Sequence, residues 1–197
     1  MSLPNLQGVN VYLIGMMGSG KSTIGAILAD RLSHQFFDTD VLIEQISGRS
    51  VTELFAQSGE STFRQLETQV LSELSSYLRK LIATGGGIVV TPENWGHLRS
   101  GIIIWLDVPV AVLCARLAND TTRPLLTGDL ESKLNALFSD RSPLYSHADL
   151  HIKIAGHETP EEICDRILVD LNAALIAKAE ENTTILKLNQ SQPFRAQ

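Results

Sequence analysis

The sequence has little of what marks several classes of protein. It holds only two cysteines in 197 residues, Cys114 and Cys164, and neither lies in a CxxC motif, so disulfide frameworks and zinc sites have no support. No segment approaches the roughly 18 apolar residues of a membrane-spanning helix. The net charge of −6 gives no general attraction to nucleic acid or to anionic membranes. We therefore expect neither as a partner.

The length and the hydrophobic content of 44% suit one domain with a full core. We expect residues 1–178 to form that domain, with a lid near 119–129, and residues 179–197 to form a polar, partly disordered tail. Met1 to Gly8 lacks the apolar segment of a signal peptide, and the first predicted strand starts by about Val9, which leaves no room for a transit peptide. These features predict a cytoplasmic protein, although a mature or trimmed form would read the same.

Short apolar runs alternate with longer amphipathic stretches, which is typical of a parallel sheet covered by helices on both faces. The predicted strands are Val9 to Ile14, Gln35 to Asp38, Leu81 to Thr84, Ile102 to Leu106 and Leu150 to Ile154. The predicted helices are Lys21 to Leu32, Val51 to Gln57, Ser61 to Arg79, Pro109 to Leu117, Leu130 to Tyr145 and Pro160 to Ala179. The expected fold is α/β, a three-layer αβα sandwich around a five-stranded parallel sheet.

The first strand is followed by Gly15-Met16-Met17-Gly18-Ser19-Gly20-Lys21-Ser22, the Walker A pattern in its strand-loop-helix setting. Its glycines allow backbone N–H groups to surround phosphate oxygens, and Lys21 neutralises the outer phosphates. The Ser22 hydroxyl group is suited to bind Mg²⁺. This pattern predicts a site for a nucleoside triphosphate.

Polar or glycine motifs follow three further strands, where ligands of such sheets bind. Asp38-Thr39-Asp40 offers two carboxylates, which in an extended chain would point the same way, one toward a metal ion and one toward an acceptor hydroxyl group. The alternative is a helix N-cap followed by an acid in the first turn. The run Gly85-Gly86-Gly87 permits a ligand to approach bare backbone, although such a run often means only a turn.

Three arginines stand out against the acidic background. Arg64 and Arg141 lie on predicted helices and are candidates to grip an acceptor carboxylate with paired hydrogen bonds. Arg123, in the predicted lid, is a candidate to meet the transferred phosphate. The simpler interpretations are an exposed ion pair between Arg64 and Glu67, and a solvated helix position for Arg141.

Taken together, these motifs resemble the shikimate kinase family, a P-loop family of the nucleoside-monophosphate-kinase type. The similarity is collinear and runs from residue 9 to about residue 170. It is carried by residues 15–22, Asp38-Thr39-Asp40, the stretch from Phe55 to Gly59 leading to Phe63-Arg64, Thr84-Gly85-Gly86-Gly87, Leu106-Asp107-Val108, Arg123-Pro124-Leu125-Leu126 and Arg141-Ser142-Pro143-Leu144-Tyr145. The resemblance implies transfer of the ATP γ-phosphate to the 3-hydroxyl group of shikimate, a step of aromatic amino-acid biosynthesis.

The resemblance also implies roles for single residues. Asp40 would be the catalytic base, aided by Lys21 and Arg123, and Mg²⁺ would be held by Ser22 and, through water, by Asp38. ATP would contact Gly18, Ser19, Gly20, Lys21, Ser22, Thr23, Arg116 and Arg123, with Pro160 near the adenine. Shikimate would contact Asp40, Arg64, Gly85, Gly86, Gly87 and Arg141. We expect a monomer.

Other functions are compatible with part of the pattern. Another small-molecule kinase of the same fold, such as a gluconate kinase, is the nearest alternative, although the arginine pair and the triple glycine favour shikimate. A non-catalytic, regulatory relative would be expected to have lost Asp40, Arg64 or Arg141, and none is lost. A GTPase-like switch would need a DxxG segment and an Asn-Lys-x-Asp motif, and the sequence has neither.

Overall fold

The computed structural model describes residue 6, residues 8–118 and residues 129–190, with side chains as far as residue 176. Within these ranges five strands form one parallel sheet in the order β2-β3-β1-β4-β5. The strands are β1 (Val11–Ile14), β2 (Gln35–Asp38), β3 (Lys80–Ala83), β4 (Ile102–Asp107) and β5 (Leu150–Lys153). The predicted five-stranded parallel sheet is confirmed.

Seven α-helices and one 3₁₀ turn connect the strands in the described residues. They are α1 (Lys21–Leu32), α2 (Thr39–Ser47), α3 (Val51–Ser75), the 3₁₀ turn Ile88–Val90, α4 (Asn94–Leu98), α5 (Val110–Leu117), α6 (Leu130–Tyr145) and α7 (Pro160–Gln190). No helix of the described residues is both long and apolar enough to cross a membrane.

The central strand β1 is buried along its whole length, as a continuous apolar run in a sheet covered on both sides should be. On one face α1 approaches so closely that a Cβ atom at Gly25 would lie 2.6 Å from the Phe36 ring. On the other face the ring of Tyr145, at the end of α6, packs 5.7 Å from that of Trp105 on β4. Helices therefore enclose the sheet as two outer layers.

Several predicted helix boundaries are wrong. The two helices expected between Val51 and Arg79 are present as two helical segments of α3 that meet at Gly59, whose backbone is not helical (φ 78°), but the second segment ends at Ser75 and not at Arg79. Helix α7 continues to Gln190 instead of ending near Ala179. No glycine or proline interrupts residues 161–192, so nothing in the backbone stops the helix there. The sequence interpretation also missed α4.

The strand order determines where a ligand can bind. The chain moves from β1 to the β2 and β3 side of the sheet and later crosses to β4 and β5. A crevice opens at the carboxyl ends of the strands where the order changes direction. The loop after β1 lies at this point, and the polar motifs after β2, β3 and β4 end at the same edge of the sheet.

Candidate active site

The loop between β1 and α1 is shaped by glycines at positions that other residues could not occupy. Gly15 has a φ of 140°, and a Cβ atom there would lie 2.6 Å from the carbonyl oxygen of Leu106. Gly20 (φ 93°) precedes α1 and no side chain caps this end of the helix. The first N–H groups of α1 are therefore available to an anion, which the helix dipole also favours.

Lys21 is the first residue of α1, and its side chain lies against this loop. Its ammonium group donates hydrogen bonds to the carbonyl oxygens of Gly15 (3.0 Å) and Met16 (2.8 Å) and to the Ser19 hydroxyl group (3.3 Å), and its side chain is buried. A buried ammonium group beside backbone N–H groups makes the loop strongly electropositive. This is the environment that the terminal phosphates of a nucleotide require.

A cavity of about 400 Å³ opens over the loop. We call it the nucleotide cavity. Its lining includes every residue predicted to contact ATP within the described ranges, namely Gly18, Ser19, Gly20, Lys21, Ser22, Thr23 and Arg116. Arg116 donates a hydrogen bond to the carbonyl oxygen of Gly18 (3.1 Å). Pro160 lines the same cavity.

Glu158 also lines the nucleotide cavity, and sequence reasoning missed it. Its carboxylate accepts a hydrogen bond from the backbone N–H group of Ala155 (2.8 Å) and pairs with Arg166 (3.1 Å). These contacts fix the loop that leads from β5 into α7. Its position two residues before Pro160, at the carboxyl end of a strand, is the one sequence signal that would have drawn attention to it.

Of the two geometries considered for Asp38-Thr39-Asp40, the structure shows the helix N-cap followed by an acid in the first turn, and not the extended chain. Asp38 is the N-cap of α2 and accepts hydrogen bonds from the N–H groups of Asp40 and Val41. The other carboxylate oxygen of Asp38 accepts a hydrogen bond from the Ser22 hydroxyl group at 2.5 Å. A short polar side chain is favoured at an N-cap. The Asp38 carboxylate therefore caps α2 with one oxygen and contacts the loop after β1 with the other.

Asp40 lies in the first turn of α2, at the boundary between the nucleotide cavity and a second, smaller cavity of about 80 Å³. We call the smaller one the acceptor cavity. It brings together all residues predicted to contact the phosphate acceptor, namely Asp40, Arg64, Gly85, Gly86, Gly87 and Arg141. Its apolar wall consists of Met17, Val51, Phe55 and Phe63, and Met17, Asp40 and Gly86 line both cavities.

Arg64 forms the predicted ion pair with Glu67, at 2.7 Å, but the pair is buried and not exposed. Glu67 is fully enclosed, its second oxygen accepts no hydrogen bond within the described residues, and Arg64 also pairs with Glu60 at 3.1 Å. Burial is the main cause that raises the pKa of the Glu67 carboxyl group. The positive charge of Arg64 lowers this pKa, and the negative charge of Asp40 raises it further. A Cβ atom at Gly85 would lie 2.7 Å from a carboxylate oxygen of Asp40 and 2.7 Å from one of Glu67.

Arg141 is buried, so it is not the solvated helix residue that was one interpretation of the sequence. It donates a hydrogen bond to the carbonyl oxygen of Gly86 at 3.2 Å. The guanidinium group of Arg64 fills the space above Gly87, where a Cβ atom would overlap it. Gly85, the first glycine of the run, donates a hydrogen bond from its N–H group to the Thr39 hydroxyl group (2.9 Å). Two arginines from different helices thus approach one glycine turn.

Arg123 and the predicted lid at 119–128 lie outside the described residues, so their predicted roles stay predictions. In the described part of the chain no group of three or more His, Cys, Asp or Glu side chains is arranged to hold a metal ion. The site is therefore a pair of cavities, one surrounded by backbone N–H groups and one by two arginines and two carboxylates.

This geometry agrees with comparisons to known proteins. The family model of shikimate kinase matches residues 17–172. The chain is 54% identical over 165 residues to a shikimate kinase of Microcystis aeruginosa, covering 83% of this chain and 87% of that protein. It is also 54% identical over 178 residues to a shikimate kinase of Rippkaea orientalis, covering 90% and 95%.

Solved structures give the same family. A shikimate kinase from Acinetobacter baumannii in complex with shikimate superposes with a TM-score of 0.78 at 36% sequence identity, covering 83% of this chain and 92% of that one. The P-loop fold of the nucleoside-monophosphate-kinase type that the sequence predicted is thereby confirmed.

Proposed function

The chain belongs to the shikimate kinase family, and we propose that its two cavities hold ATP and shikimate on opposite sides of Asp40. The reaction is transfer of the γ-phosphate of ATP to the 3-hydroxyl group of shikimate, which gives shikimate 3-phosphate and ADP in aromatic amino-acid biosynthesis. The observation that carries the residue assignment is that Asp40 lines both cavities. An acid at that position can reach both the attacking oxygen and the phosphate.

On the nucleotide side, the backbone N–H groups of the loop and the uncapped start of α1 would bind the phosphates, with Lys21 among them. Arg116 and Pro160, which line the same cavity, would flank the adenine ring. The guanidinium group of Arg116 is suited to stacking on an aromatic base. Arg123 would approach the migrating phosphoryl group from the lid.

The pair formed by Ser22 and Asp38 fits a magnesium ion. A hydroxyl and a carboxylate oxygen lie 2.5 Å apart, and both residues line the nucleotide cavity. Mg²⁺ prefers such hard oxygen ligands and is commonly held by one or two side chains together with substrate phosphates and water. We assign Ser22 as a direct ligand and Asp38 as a ligand through water. When bound, the ion neutralises charge on the phosphate oxygens.

On the acceptor side, Arg64 and Arg141 would grip the carboxylate of shikimate, and the N–H groups of the Gly85-Gly86-Gly87 turn would meet its ring hydroxyl groups. Charge-assisted, paired hydrogen bonds from guanidinium groups give both affinity and a fixed orientation. The glycines are required here because a Cβ atom at Gly85 or Gly87 would strike Asp40, Glu67 or Arg64. The acceptor is thereby held with its hydroxyl group toward Asp40.

The chemical step then needs one proton acceptor. As the shikimate oxygen forms its bond to the γ-phosphorus, the bond from that phosphorus to the bridging oxygen breaks and ADP leaves. The Asp40 carboxylate takes the hydroxyl proton. A positioned base of this kind contributes roughly 10²- to 10⁴-fold to the rate.

The test is ADP release with ATP and a panel of acceptors that includes shikimate, gluconate and AMP. We expect turnover with shikimate alone. Turnover on gluconate or AMP without turnover on shikimate would show that the acceptor cavity has another specificity. Absence of turnover on every acceptor, with ATP still bound, would favour the regulatory alternative.

We further propose that the protein acts as a monomer in the cytoplasm. Both cavities proposed to bind the substrates are lined by residues of one chain, so the proposed site needs no second copy. Cys164 is buried, Cys114 is half-buried, and both are free thiols, which suits a reducing compartment.

A further inference from the structure

The carbonyl group of Gly86 is held by two donors from the same helix. The Tyr145 hydroxyl group donates a hydrogen bond to it at 2.5 Å, and Arg141 donates a second at 3.2 Å. Tyr145 is completely buried, with its ring packed against that of Trp105. It does not line the acceptor cavity, although Gly86 and Arg141 do.

The Tyr145 hydroxyl group is a permanent donor. Burial raises its pKa to about 12, an effect that the positive charge of Arg141 only partly opposes. The proton therefore stays on the phenol at every pH at which the enzyme would work. Arg141 also lies within hydrogen-bond reach of the phenol oxygen, and the sulfur atom of Met16, at 3.8 Å, competes only weakly for the proton.

A fixed carbonyl group also fixes the N–H group that follows it. Because a trans peptide unit is planar, the Gly86 carbonyl group and the Gly87 N–H group point in opposite directions. The carbonyl oxygen points to Tyr145, which does not line the cavity, so the Gly87 N–H group points away from Tyr145. Gly87 itself lines the acceptor cavity. No hydrogen bond within the described residues takes this N–H group.

The peptide between Gly86 and Gly87 needs such a restraint. A rotation of the peptide plane changes ψ of the first residue and φ of the second, and glycine tolerates nearly all of the resulting values. Neither glycine can be replaced to stiffen the turn. A Cβ atom at Gly86 would lie 3.2 Å from the Met17 nitrogen, and one at Gly87 would overlap Arg64.

We propose that Tyr145 is a positioning residue whose hydroxyl group sets the orientation of the Gly86–Gly87 peptide, so that the Gly87 N–H group faces a hydroxyl group of the acceptor. Arg141 then donates one N–H group to the Gly86 carbonyl oxygen, and its remaining N–H groups can donate to the acceptor carboxylate. This inference rests on the proposed acceptor site. According to this inference, Tyr145 contributes to acceptor binding although it does not line the acceptor cavity.

The kinetic test uses the full chain with Tyr145→Phe, which keeps the ring and removes only the hydroxyl group. We expect the KM for shikimate to rise by up to about 10-fold, the loss of one neutral hydrogen bond, while the KM for ATP stays within about twofold. The matched control is Tyr12→Phe. Tyr12 is equally buried, but its hydroxyl group bonds to Ser100 (3.1 Å), which precedes β4 and so lies at the amino ends of the strands, opposite to the end where the cavities open. We expect the control to change neither KM.

A spectroscopic test observes the peptide itself. Gly86 and Gly87 are the only residues in the sequence that are glycines preceded by glycine. Glycine labelled with ¹³C at the carbonyl and ¹⁵N at the amide therefore gives just two signals in a correlation through the peptide bond. We expect shikimate to shift these signals in the wild type, and Tyr145→Phe without ligand to double or broaden them, whereas Tyr12→Phe leaves them unchanged.

The outcomes separate this inference from the proposed function. A wild type that turns over shikimate, with an unchanged KM and unchanged glycine signals in Tyr145→Phe, overturns the positioning role alone. A wild type without turnover on shikimate overturns the proposed function. If Tyr145→Phe does not fold, the wild-type spectrum decides, since glycine signals that shikimate leaves unmoved contradict the proposal.

Discussion

The two cavities are constructed in different ways. Half of the residues that line the nucleotide cavity come from one continuous segment, residues 17–24, in which backbone N–H groups and one lysine are the groups proposed to bind phosphate. The acceptor cavity draws on the loop after β1, α2, both halves of α3, the glycine turn after β3 and α6. Its polar groups are charged side chains, several of them buried.

This difference predicts how each cavity responds to substitution. A cavity formed by backbone N–H groups keeps its shape when one side chain at its rim is changed. In the acceptor cavity, each buried charge depends on a partner, so removing one side chain leaves another unpaired and costs stability as well as affinity. Asp40 lines both cavities, and in the proposed mechanism it serves the reaction more than either binding site.

The largest effect is expected at Asp40. Replacing it with asparagine keeps the shape of the boundary and removes the proton acceptor, so kcat should fall by roughly 10²- to 10⁴-fold. Both KM values should change little, because the two binding sites lie on either side of it. Steady-state kinetics with each substrate varied would measure this. The control is Asp30→Asn, on the exposed side of α1. A near wild-type kcat in Asp40→Asn would contradict the role of Asp40 as the catalytic base.

The second prediction separates affinity from stability at Arg64. Arg64→Ala should raise the KM for shikimate by about 100-fold through loss of charge-assisted hydrogen bonds. It should also lower the free energy of unfolding by roughly 3–5 kcal/mol, because the enclosed Glu67 carboxylate loses its partner.

The double variant Arg64→Ala with Glu67→Gln is the matched control for that prediction. Neutralising Glu67 should recover much of the stability, measured by thermal or denaturant unfolding, and none of the shikimate affinity. If the double variant regained shikimate affinity, the role of Arg64 would be structural only.

The smallest effect is expected at Arg116. Arg116→Ala should raise the KM for ATP by about 2- to 5-fold, since a guanidinium group at an exposed site gains only about 0.5–1 kcal/mol from an aromatic face. The KM for shikimate and the unfolding temperature should stay unchanged. Arg99→Ala is the control, because Arg99 is likewise exposed and lies over an aromatic ring, that of Trp95, at 5.8 Å. An equal rise in the KM for shikimate would mean that the cavities are not separable in this way.

Much of the nucleotide cavity was predictable because its information is local. The glycine spacing, Lys21 and Ser22 follow a buried strand directly, and the structure places all of them around one cavity. The predicted helices did not include α2, because local signals conflict at Asp38, the last residue of β2: the strand suited a continued extended chain, whereas the Asp38 side chain suited an N-cap. The capping hydrogen bonds decided the outcome.

The acceptor cavity was predictable only in part. The arginines and the glycine run could be selected as candidates, and their resemblance to a family grouped them, but burial could not be read from spacing. The Arg64 and Glu67 spacing is the same for an exposed pair and for an enclosed one. Tyr145 belongs to a motif that carries the family resemblance, but its own role could not be read from the sequence, since that role depends on a carbonyl group 59 residues away in the chain.

The sequence by itself determined the parallel sheet, the phosphate-binding loop and the identity of the charged residues, because periodicity and short motifs act over a few residues. Only the tertiary structure decided which of those charges are buried, which meet at Gly85 and Gly86, and that Asp40 stands between two cavities. Burial and convergence depend on contacts between distant segments, and the energies of buried charges depend on those contacts more than on residue type.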